Sequence, residues 1–319
     1  MNSKWDGIID CIENANKIVI LTHTSMDGDA MGSSSALCHM LRGMKKECYI
    51  LLEDNIPAYL DILHNHDDFF VFELPYTADL AIAVDCADET RIEKRIDVFK
   101  AAKKTACIDH HMQTSYFADV NVVEPDVAAT GILIYELMKE MRIPLNKEIA
   151  EDLYAAISTD TGSFKFRNTD ARVHMVIADL YSYDIEASKL CNALYATYPL
   201  CQLKLESIAM DNCEIFADGK AAISYLTQEN MRSVGASYEH ADTSIERLRS
   251  IEGVEVACIL KQNESGTYKA SLRAKDYADV NAVAVVFGGG GHLKASGCNF
   301  DSDLRSAIDA LKKEILKAL

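Results

Sequence analysis

Short apolar segments alternate with helix-like segments through the first half of the chain, and this alternation constrains the fold more than any other feature. Four apolar segments of four to six residues are bounded by turn or charged residues, at 18–22, 48–52, 79–84 and 105–108. Helical patterns lie between and after them, at 30–42, 127–141 and 147–159. Short strands separated by helices are typical of α/β proteins, so this half is predicted to form a doubly wound, mainly parallel sheet.

Three of these predicted strands are followed by histidine or aspartate. The residues concerned are His23, Asp27 and Asp29 after the first, Asp85 after the third, and Asp109, His110 and His111 after the fourth. A further aspartate, Asp160, ends the helical pattern 147–159 in the segment STDTGSF. Because the carboxyl ends of parallel strands lie along one edge of a sheet, we expect these side chains to converge.

These residues also have ordinary structural explanations. The Asp-Gly-Asp stretch at 27–29 is compatible with a polar turn, and a single aspartate after a strand, such as Asp85, is often a helix N-cap. The coincidence of four clusters favours a metal site, because so many carboxylates would repel one another without cations. The ligand count predicts two divalent cations. Mixed imidazole and carboxylate ligands favour Mn²⁺, with Mg²⁺ or Co²⁺ as substitutes, and metal pairs commonly promote attack on phosphorus.

A second, smaller domain is predicted after a connector. The first domain is assigned to residues 1–195, the linker to 196–212, which contains Pro199, and the second domain to 213–319. Strand-like segments at 213–216, 220–226, 254–261 and 267–273, with an amphipathic helix at 303–319, predict a mixed-sheet α/β domain.

Four consecutive glycines followed by His292 lie in this second domain. Consecutive glycines allow backbone N–H groups to approach an anion closely, although such a run is equally typical of a flexible turn. Arg273, on the preceding predicted strand, adds a guanidinium suited to binding a terminal phosphate through two hydrogen bonds. We therefore expect an anion-binding site here.

The charge of the chain argues against one class of function. The 319 residues have a net charge of −17, and residues 1–195 contain 18 Lys and Arg against 32 Asp and Glu. A groove that follows a long nucleic acid requires clustered basic residues, so long duplexes are not expected as partners. Small anionic substrates are compatible with this charge where divalent metals supply positive charge.

Cysteine usage and hydropathy bear on location. The ten cysteines include no CxxC pair, which suits a reducing compartment, and the N-terminus lacks the layout of a signal peptide. No apolar run approaches the length of a membrane span. We therefore expect a cytoplasmic protein with no membrane partner.

Taken together, the motifs resemble those of the DHH phosphoesterase superfamily, which includes RecJ nucleases and family II pyrophosphatases. The motifs are H-x3-D-G-D at 23–29, the aspartate at 85, D-H-H at 109–111 and D-T-G at 160–162. The segments SLRAK at 271–275 and GGGGHLKASG at 288–297 are similar to the DHHA1 domain of its nanoRNase/pAp-phosphatase (NrnA-type) branch. The resemblance covers nearly the whole chain, with a DHH domain followed by a DHHA1 domain.

Carried over by position, the resemblance implies a role for each candidate residue. It assigns one metal to His23, Asp27 and Asp85, and the second to Asp29, Asp85, His110 and Asp160, with Asp85 bridging. His111 would face the scissile phosphate and assist the departing oxygen, while Asp109 would orient the imidazoles. The substrate's nucleotide and terminal phosphate would be bound by Arg273, Gly289, Gly290, Gly291 and His292, with Ser296 as a further candidate.

The implied activity is dimetal hydrolysis of oligonucleotides of about two to five nucleotides and of 3′-phosphoadenosine 5′-phosphate (pAp). A homodimer is one assembly compatible with the sequence, which does not determine the oligomeric state. A cyclic-dinucleotide (c-di-AMP) or linear dinucleotide (pApA) phosphodiesterase is an alternative that the sequence does not separate from this activity. A catalytically silent nucleotide-binding module is an alternative of another class, disfavoured because every expected metal ligand is present. A RecJ-like exonuclease or a pyrophosphatase would need basic clusters that this acidic chain lacks.

Overall fold

The computed structural model describes residues 3–63 and 69–319, and the chain divides into two compact units. The first ends at Thr197 and the second is Tyr198–Leu319. None of the helices in the described ranges combines the length and apolarity that a membrane span requires.

The first unit is built on a parallel sheet. Its strands are β1 (Lys17–Leu21), β2 (Glu47–Leu51), β3 (Phe70–Val71), β4 (Leu80–Val84), β5 (Lys104–Asp109) and β6 (Val120–Val123). Its α-helices are α1 (Asp6–Asn14), α2 (Gly28–Gly43), α3 (Ile96–Ala101), α4 (Thr130–Glu140), α5 (Lys147–Asp160), α6 (Ala171–Leu180) and α7 (Ala187–Tyr195). Short 3₁₀ helices lie at Ala58–Leu63, Glu89–Arg95 and Tyr181–Tyr183.

Both faces of this sheet are buried, which explains its uninterrupted apolar strands. On β1, Ile18 and Ile20 pack into the core that contains residues of α1, α2, α4 and α5. Val19 and Leu21 point to the opposite face, into a core that includes Phe99 of α3. A strand covered on both faces needs apolar side chains at every position. The predicted doubly wound parallel sheet is confirmed.

The order of the strands determines where a ligand can bind. Across the described part of the first unit the order is β3-β2-β1-β4-β5-β6, and every neighbouring pair is parallel. The chain crosses from one side of β1 to the other between β3 and β4. In such sheets the crevice forms beyond the carboxyl ends of the two strands at this switch point, which here are β1 and β4.

The second unit contains a mixed sheet. Its strands are β7 (Glu214–Phe216), β8 (Ala221–Leu226), β9 (Val256–Gln262), β10 (Tyr268–Ala274), β11 (Gly290–His292) and β12 (Ala295–Phe300). Its α-helices are α8 (Leu200–Asp211), α9 (Gln228–Val234), α10 (Ser244–Arg249), α11 (Val280–Val286) and α12 (Leu304–Ala318), with a 3₁₀ helix at Glu239–Ala241. The order is β11-β12-β10-β9-β8-β7, with β8 and β9 parallel and the other pairs antiparallel. The predicted mixed-sheet α/β domain is therefore confirmed.

The segment 196–212 differs from the linker that the sequence predicts. Most of it is helix α8, which buries Leu205 and Ala209 in a core shared with β8, β9 and α10. The short amphipathic pattern after Pro199 is the apolar side of this helix, and the residues from Tyr198 onward belong to the second unit.

Candidate metal centre

The turn between β1 and α2 carries the first three candidate ligands. His23 lies two residues after the end of β1 and is almost fully buried. Asp27 is the N-cap of α2, because its Oδ1 accepts a hydrogen bond of 3.0 Å from the backbone N–H of Ala30. Asp29 lies in the first turn of the helix and, like His23, is buried. The helix start therefore fixes the spacing of these two carboxylates.

Asp85 directly follows β4 and lies between two imidazoles. Its Oδ2 is 3.7 Å from Nε2 of His23, and its Oδ1 is 3.6 Å from Nε2 of His110. The side chain is buried, and the backbone has φ of 55°, in the left-handed region. Few residue types other than glycine, asparagine and aspartate adopt this conformation at low cost.

The remaining candidate ligands surround His110. Its Nε2 lies 3.4 Å from Oδ2 of Asp160, at the end of α5, and 3.8 Å from Oδ2 of Asp29. Potential ligand atoms within 4.8 Å of one another form two overlapping groups on this side, Asp29–His110–Asp160 and Asp85–His110–His111, and a third group, His23–Asp27–Asp85. All six predicted metal ligands are thus brought together at one edge of the sheet.

The histidines are oriented by backbone carbonyls. Nδ1 of His23 donates to the carbonyl oxygen of Thr24 at 2.7 Å, and Nδ1 of His110 donates to that of Val127 at 3.0 Å. A carbonyl only accepts hydrogen bonds, so in each neutral ring the proton is on Nδ1 and the lone pair on Nε2. Nε2 is the atom that faces the carboxylates in both rings, as metal ligation requires.

The electrostatics of this cluster call for a cation. Burial opposes a charged imidazole at His23, but the carboxylates of Asp27 and Asp85 raise its pKa to about 10. Burial raises the pKa of Asp29 well above its usual range, and the charges of Asp85 and Asp160 act in the same direction. Burial likewise raises the pKa of Asp160 to about 6. Divalent cations among these groups would supply the missing positive charge.

His111, which belongs to one of these groups, forms a hydrogen-bonded pair with Asp109. Nδ1 of His111 donates to Oδ1 of Asp109 at 2.7 Å, and Thr114 donates its hydroxyl to Oδ2 of the same carboxylate. The bond to Asp109 raises the pKa of His111 to about 8, against the effect of burial. Asp109 is fully buried, whereas the imidazole of His111 is partly exposed. The buried carboxylate therefore fixes the orientation of the ring. This leaves Nε2 of His111 free to face a ligand.

The first turn of α4 also contacts the cluster, which the sequence did not predict. The backbone N–H groups of Thr130 and Gly131 donate to the two oxygens of Asp29 at 2.7 and 3.0 Å. The Thr130 hydroxyl donates to Oδ1 of Asp85 at 2.9 Å, and Ser33 donates to Asp29 at 2.8 Å. These hydrogen bonds fix the orientation of the Asp29 and Asp85 carboxylates. The only available signal was a small-residue stretch, Ala-Ala-Thr-Gly, before an apolar helix.

The donor set fits divalent metal ions. Carboxylate oxygens and imidazole nitrogens converge, the hydrogen bonds from Nδ1 leave Nε2 of His23 and His110 facing the carboxylates, and burial together with neighbouring carboxylates disfavours the charged form of Asp29. The residues at this edge are therefore able to hold metal ions.

Arg273 lies in the second unit, on β10. Its Nη1 donates to the carbonyl of Leu272 at 3.1 Å, and its Nε lies 3.6 Å from Oε1 of Glu246 on α10. The side chain is partly exposed and lines a depression that Gly289 and Gly290 also line. Of the residues predicted to bind substrate, these three and Ser296 line one concave surface.

The glycine run is not the open loop that the sequence suggests. Gly290, Gly291 and His292 form edge strand β11, which pairs with β12. A Cβ at Gly289 would lie only 2.1 Å from the carbonyl oxygen of Gly297, so close packing on β12 explains that glycine. An edge strand still presents one row of unpaired N–H and C=O groups. Anion binding here would use strand backbone rather than a flexible turn.

The hydroxyl of Ser296, the further candidate, has a partner within the protein. Ser296 is buried on β12, and its hydroxyl donates to the carbonyl of Val280 in α11. The hydroxyl therefore joins a helix to the sheet and is already committed to a protein acceptor.

Comparison with known protein families gives one match within each of the two units. Residues 17–157 match the model of the DHH family, N-terminal domain, and residues 218–318 match that of the DHHA1 domain. Two curated relatives carry the name bifunctional oligoribonuclease and PAP phosphatase NrnA. That of Thermus thermophilus is 29% identical over 309 residues, 94% of this chain and 91% of the relative. That of Bacillus subtilis is 28% identical over 298 residues, 92% and 93% of the two chains.

A solved structure agrees in overall fold. The crystal structure of an exopolyphosphatase-related protein from Bacteroides fragilis matches this chain with a TM-score of 0.93 and 27% identity. The match covers 98% of this chain and 96% of that protein.

Proposed function

The chain belongs to the DHH/DHHA1 phosphoesterase superfamily, as its motifs predicted, and on that premise we propose that it hydrolyses very short oligoribonucleotides to mononucleotides and pAp to AMP. One observation carries the proposal: His–carboxylate groups meet at the switch point of the sheet, with Asp85 facing an imidazole on each side. The two curated relatives, which match over nine tenths of this chain, support these substrates. We extend the proposal to oligonucleotides of about two to five nucleotides.

Manganese is the proposed metal, in two positions. His23, Asp27 and Asp85 would hold one ion, and Asp29, Asp85, His110 and Asp160 the other. Mixed nitrogen and oxygen donors suit Mn²⁺ better than Mg²⁺, which prefers oxygen. When bound, such a pair of cations neutralises charge on a phosphate and lowers the pKa of water.

His111 is the proposed catalytic side chain of the protein itself. Its Nδ1 is held by Asp109, so its Nε2 is the nitrogen that would donate a proton to the departing oxygen of the phosphoester. Asp109 maintains this tautomer and favours the protonated ring that acts as the donor.

The second unit is proposed to bind the nucleotide portion of the substrate. Arg273 would contact a phosphate through its guanidinium, and the backbone of Gly289, Gly290 and Gly291, with His292, would contact the same ligand. The partial exposure of Arg273 and the edge position of β11 support this role.

A substrate panel tests the proposal. Wild-type protein is incubated with pAp, pApA, a five-nucleotide RNA, c-di-AMP and pyrophosphate, with Mn²⁺, Mg²⁺ or Co²⁺, or with EDTA. We expect turnover of pAp, pApA and the short RNA, highest with Mn²⁺ and absent in EDTA. Rapid cleavage of pyrophosphate or c-di-AMP with no turnover of pAp or RNA would overturn the assignment. Light scattering on the same preparation tests for a homodimer.

A substitution at Asp85 tests the shared ligand. Asp85→Asn keeps the shape and tolerates the left-handed backbone but removes the charge. We expect kcat to fall by about 1,000-fold or more. Asp97→Asn, at an exposed position on α3, is the matched control and should retain wild-type activity. Appreciable manganese-dependent activity in Asp85→Asn would contradict the mechanism.

A further inference from the structure

One face of the second sheet is only partly covered by helices. The core on this face contains buried residues of α8, α9, α10, β8 and β9, and none from β10 or β12 among the described residues. α10 contacts β10 at Arg273, through Glu246. The half of the face formed by β10 and β12 therefore has no apolar partner within this unit.

The exposed side of β10 is polar at every second residue. Tyr268, Ala270 and Leu272 point into the core beside α11 and α12. Strand side chains alternate, so Lys269, Ser271 and Arg273 point to the other face.

The facing positions on β12 complete this surface. Asn299 pairs with Lys269, Gly297 with Ser271, and Ala295 with Arg273. These residues line an open depression of about 400 Å³. Gly297 and Ala295 are its small residues, and Lys269 and Arg273 are the two cationic residues that line it.

Lys269 is a cation at one end of this depression. On its other side β10 pairs with β9, which sets Lys269 directly opposite Lys261, an arrangement that costs stability in a sheet. Lys261 is buried, pairs with Asp242 and lies over the ring of Tyr238. Lys269 is exposed and has no hydrogen bond or ion pair with any described residue. An anionic ligand in the depression would compensate its charge.

We propose that Lys269, with Asn299 beside it, is a second phosphate subsite on the same face as Arg273. Lys269 and Arg273 are four positions apart on β10, which places them roughly 13 Å apart along the strand. That span exceeds the separation of adjacent phosphates in a nucleotide chain. Lys269 thus contacts a phosphate further along the chain than the one at Arg273 and selects for oligonucleotides over pAp. This inference rests on the proposed function.

The test compares substrates of increasing length. Lys269→Ala is assayed beside wild type on pAp, a dinucleotide, a trinucleotide and a five-nucleotide RNA at several salt concentrations. We expect kcat/KM for pAp to stay within about twofold. For the trinucleotide and the five-nucleotide RNA we expect a loss of about three- to tenfold, carried by KM, and a weaker salt dependence. Lys269→Arg should restore activity on the longer substrates.

Lys313→Ala is the matched control. Lys313 is exposed on α12, the helix that covers the opposite face of the sheet, so the same charge is removed away from the depression. It should behave as wild type on every substrate. Equal losses on all lengths in Lys269→Ala, or no loss on the longer ones, would overturn the subsite.

Binding measurements separate this inference from the proposed function. The anisotropy of a fluorescent five-nucleotide RNA, titrated in EDTA, reports binding without hydrolysis. If wild type cleaves neither pAp nor RNA, the proposed function fails, and the subsite then stands only if Lys269→Ala weakens RNA binding while Lys313→Ala does not. If wild type is active and the two variants bind RNA alike, only the subsite fails.

Discussion

At the scale of single residues, Thr130 contacts the candidate metal centre although no sequence pattern predicts it. Its backbone N–H contacts Asp29 and its hydroxyl contacts Asp85, so one uncharged residue touches both sides of the candidate centre. Residues that orient metal ligands in this way raise affinity by holding the carboxylates in one geometry. Thr130 is therefore a positioning residue whose effect should appear in metal binding before it appears in stability.

Replacement of Thr130 by valine tests this role. Thr130→Val preserves size and the N–H bond to Asp29 but removes the hydroxyl, so we expect Mn²⁺ affinity to fall about 10- to 100-fold. Thr130→Ser keeps the hydroxyl and should bind Mn²⁺ nearly as wild type does. Electron paramagnetic resonance measures free Mn²⁺, and urea unfolding in EDTA measures stability. Equal Mn²⁺ affinity in wild type and the valine variant would contradict the role.

The sequence predicted the ionisable residues that the structure brings together, but not the groups that orient them. His23, Asp85 and His110 could be found because apolar strands end at them and parallel strands end together. The groups that orient the imidazoles could not be predicted from the sequence, because the backbone carbonyls of Thr24 and Val127 are common to all residue types. The assignment of individual ions to individual ligands stays a prediction.

At the scale of elements, α2 depends on close packing against α5. The helix is buried along most of its length and carries Asp27 and Asp29 at its start. At Gly32 a Cβ would lie 2.4 Å from the backbone carbonyl oxygen of Asp152 on α5. Since backbone atoms cannot step aside as a flexible side chain can, any larger residue must separate the two helices.

The glycines of α2 provide a matched pair of substitutions. Gly32→Ala should lower the free energy of unfolding by about 2 kcal/mol and reduce activity, because α2 moves with its carboxylates. Gly43→Ala, at the other end of the helix with no neighbouring atom within 4 Å of a Cβ, should be neutral or stabilising by up to about 1 kcal/mol. Urea denaturation measures both. Equal unfolding free energies for the two variants would refute the packing argument.

Strand prediction succeeded where burial is two-sided. β1, β2, β4 and β5 begin and end within one residue of their predicted bounds, since burial on both faces demands continuous apolar sequence. The short edge strand β3 and the glycine-containing β11 have no such pattern. Their strand geometry comes from pairing with a neighbour, which local sequence does not encode.

At the scale of the whole molecule, the acidic residues concentrate where the candidate metal centre lies. Residues 1–195 contain 14 more acidic than basic residues, 32 against 18, whereas residues 196–319 contain three more, 17 against 14. The two units have separate hydrophobic cores. Metal binding is thus expected to stabilise the first unit directly.

Calorimetry of the full chain with and without Mn²⁺ tests this coupling. At a free concentration of 100 times the dissociation constant, a ligand of the folded state adds about 2.7 kcal/mol, which corresponds to roughly 5–10 °C in Tm for a unit of this size. Hydrogen exchange followed by mass spectrometry assigns the effect. Mn²⁺ should slow exchange in α2, β4 and β5, with little change in β8–β10. Protection confined to the second unit would contradict the location of the metal centre.

The left-handed backbone at Asp85 has an evolutionary consequence. A residue at φ of 55° is most readily glycine, asparagine or aspartate, and of these only aspartate carries a charge. Single-nucleotide changes lead from an aspartate codon to asparagine and to glycine. A lineage that lost Asp85 by either route would keep the turn, and with it the fold, while losing the shared carboxylate. The backbone thus leaves a short mutational path from an enzyme to a folded nucleotide-binding protein without catalysis.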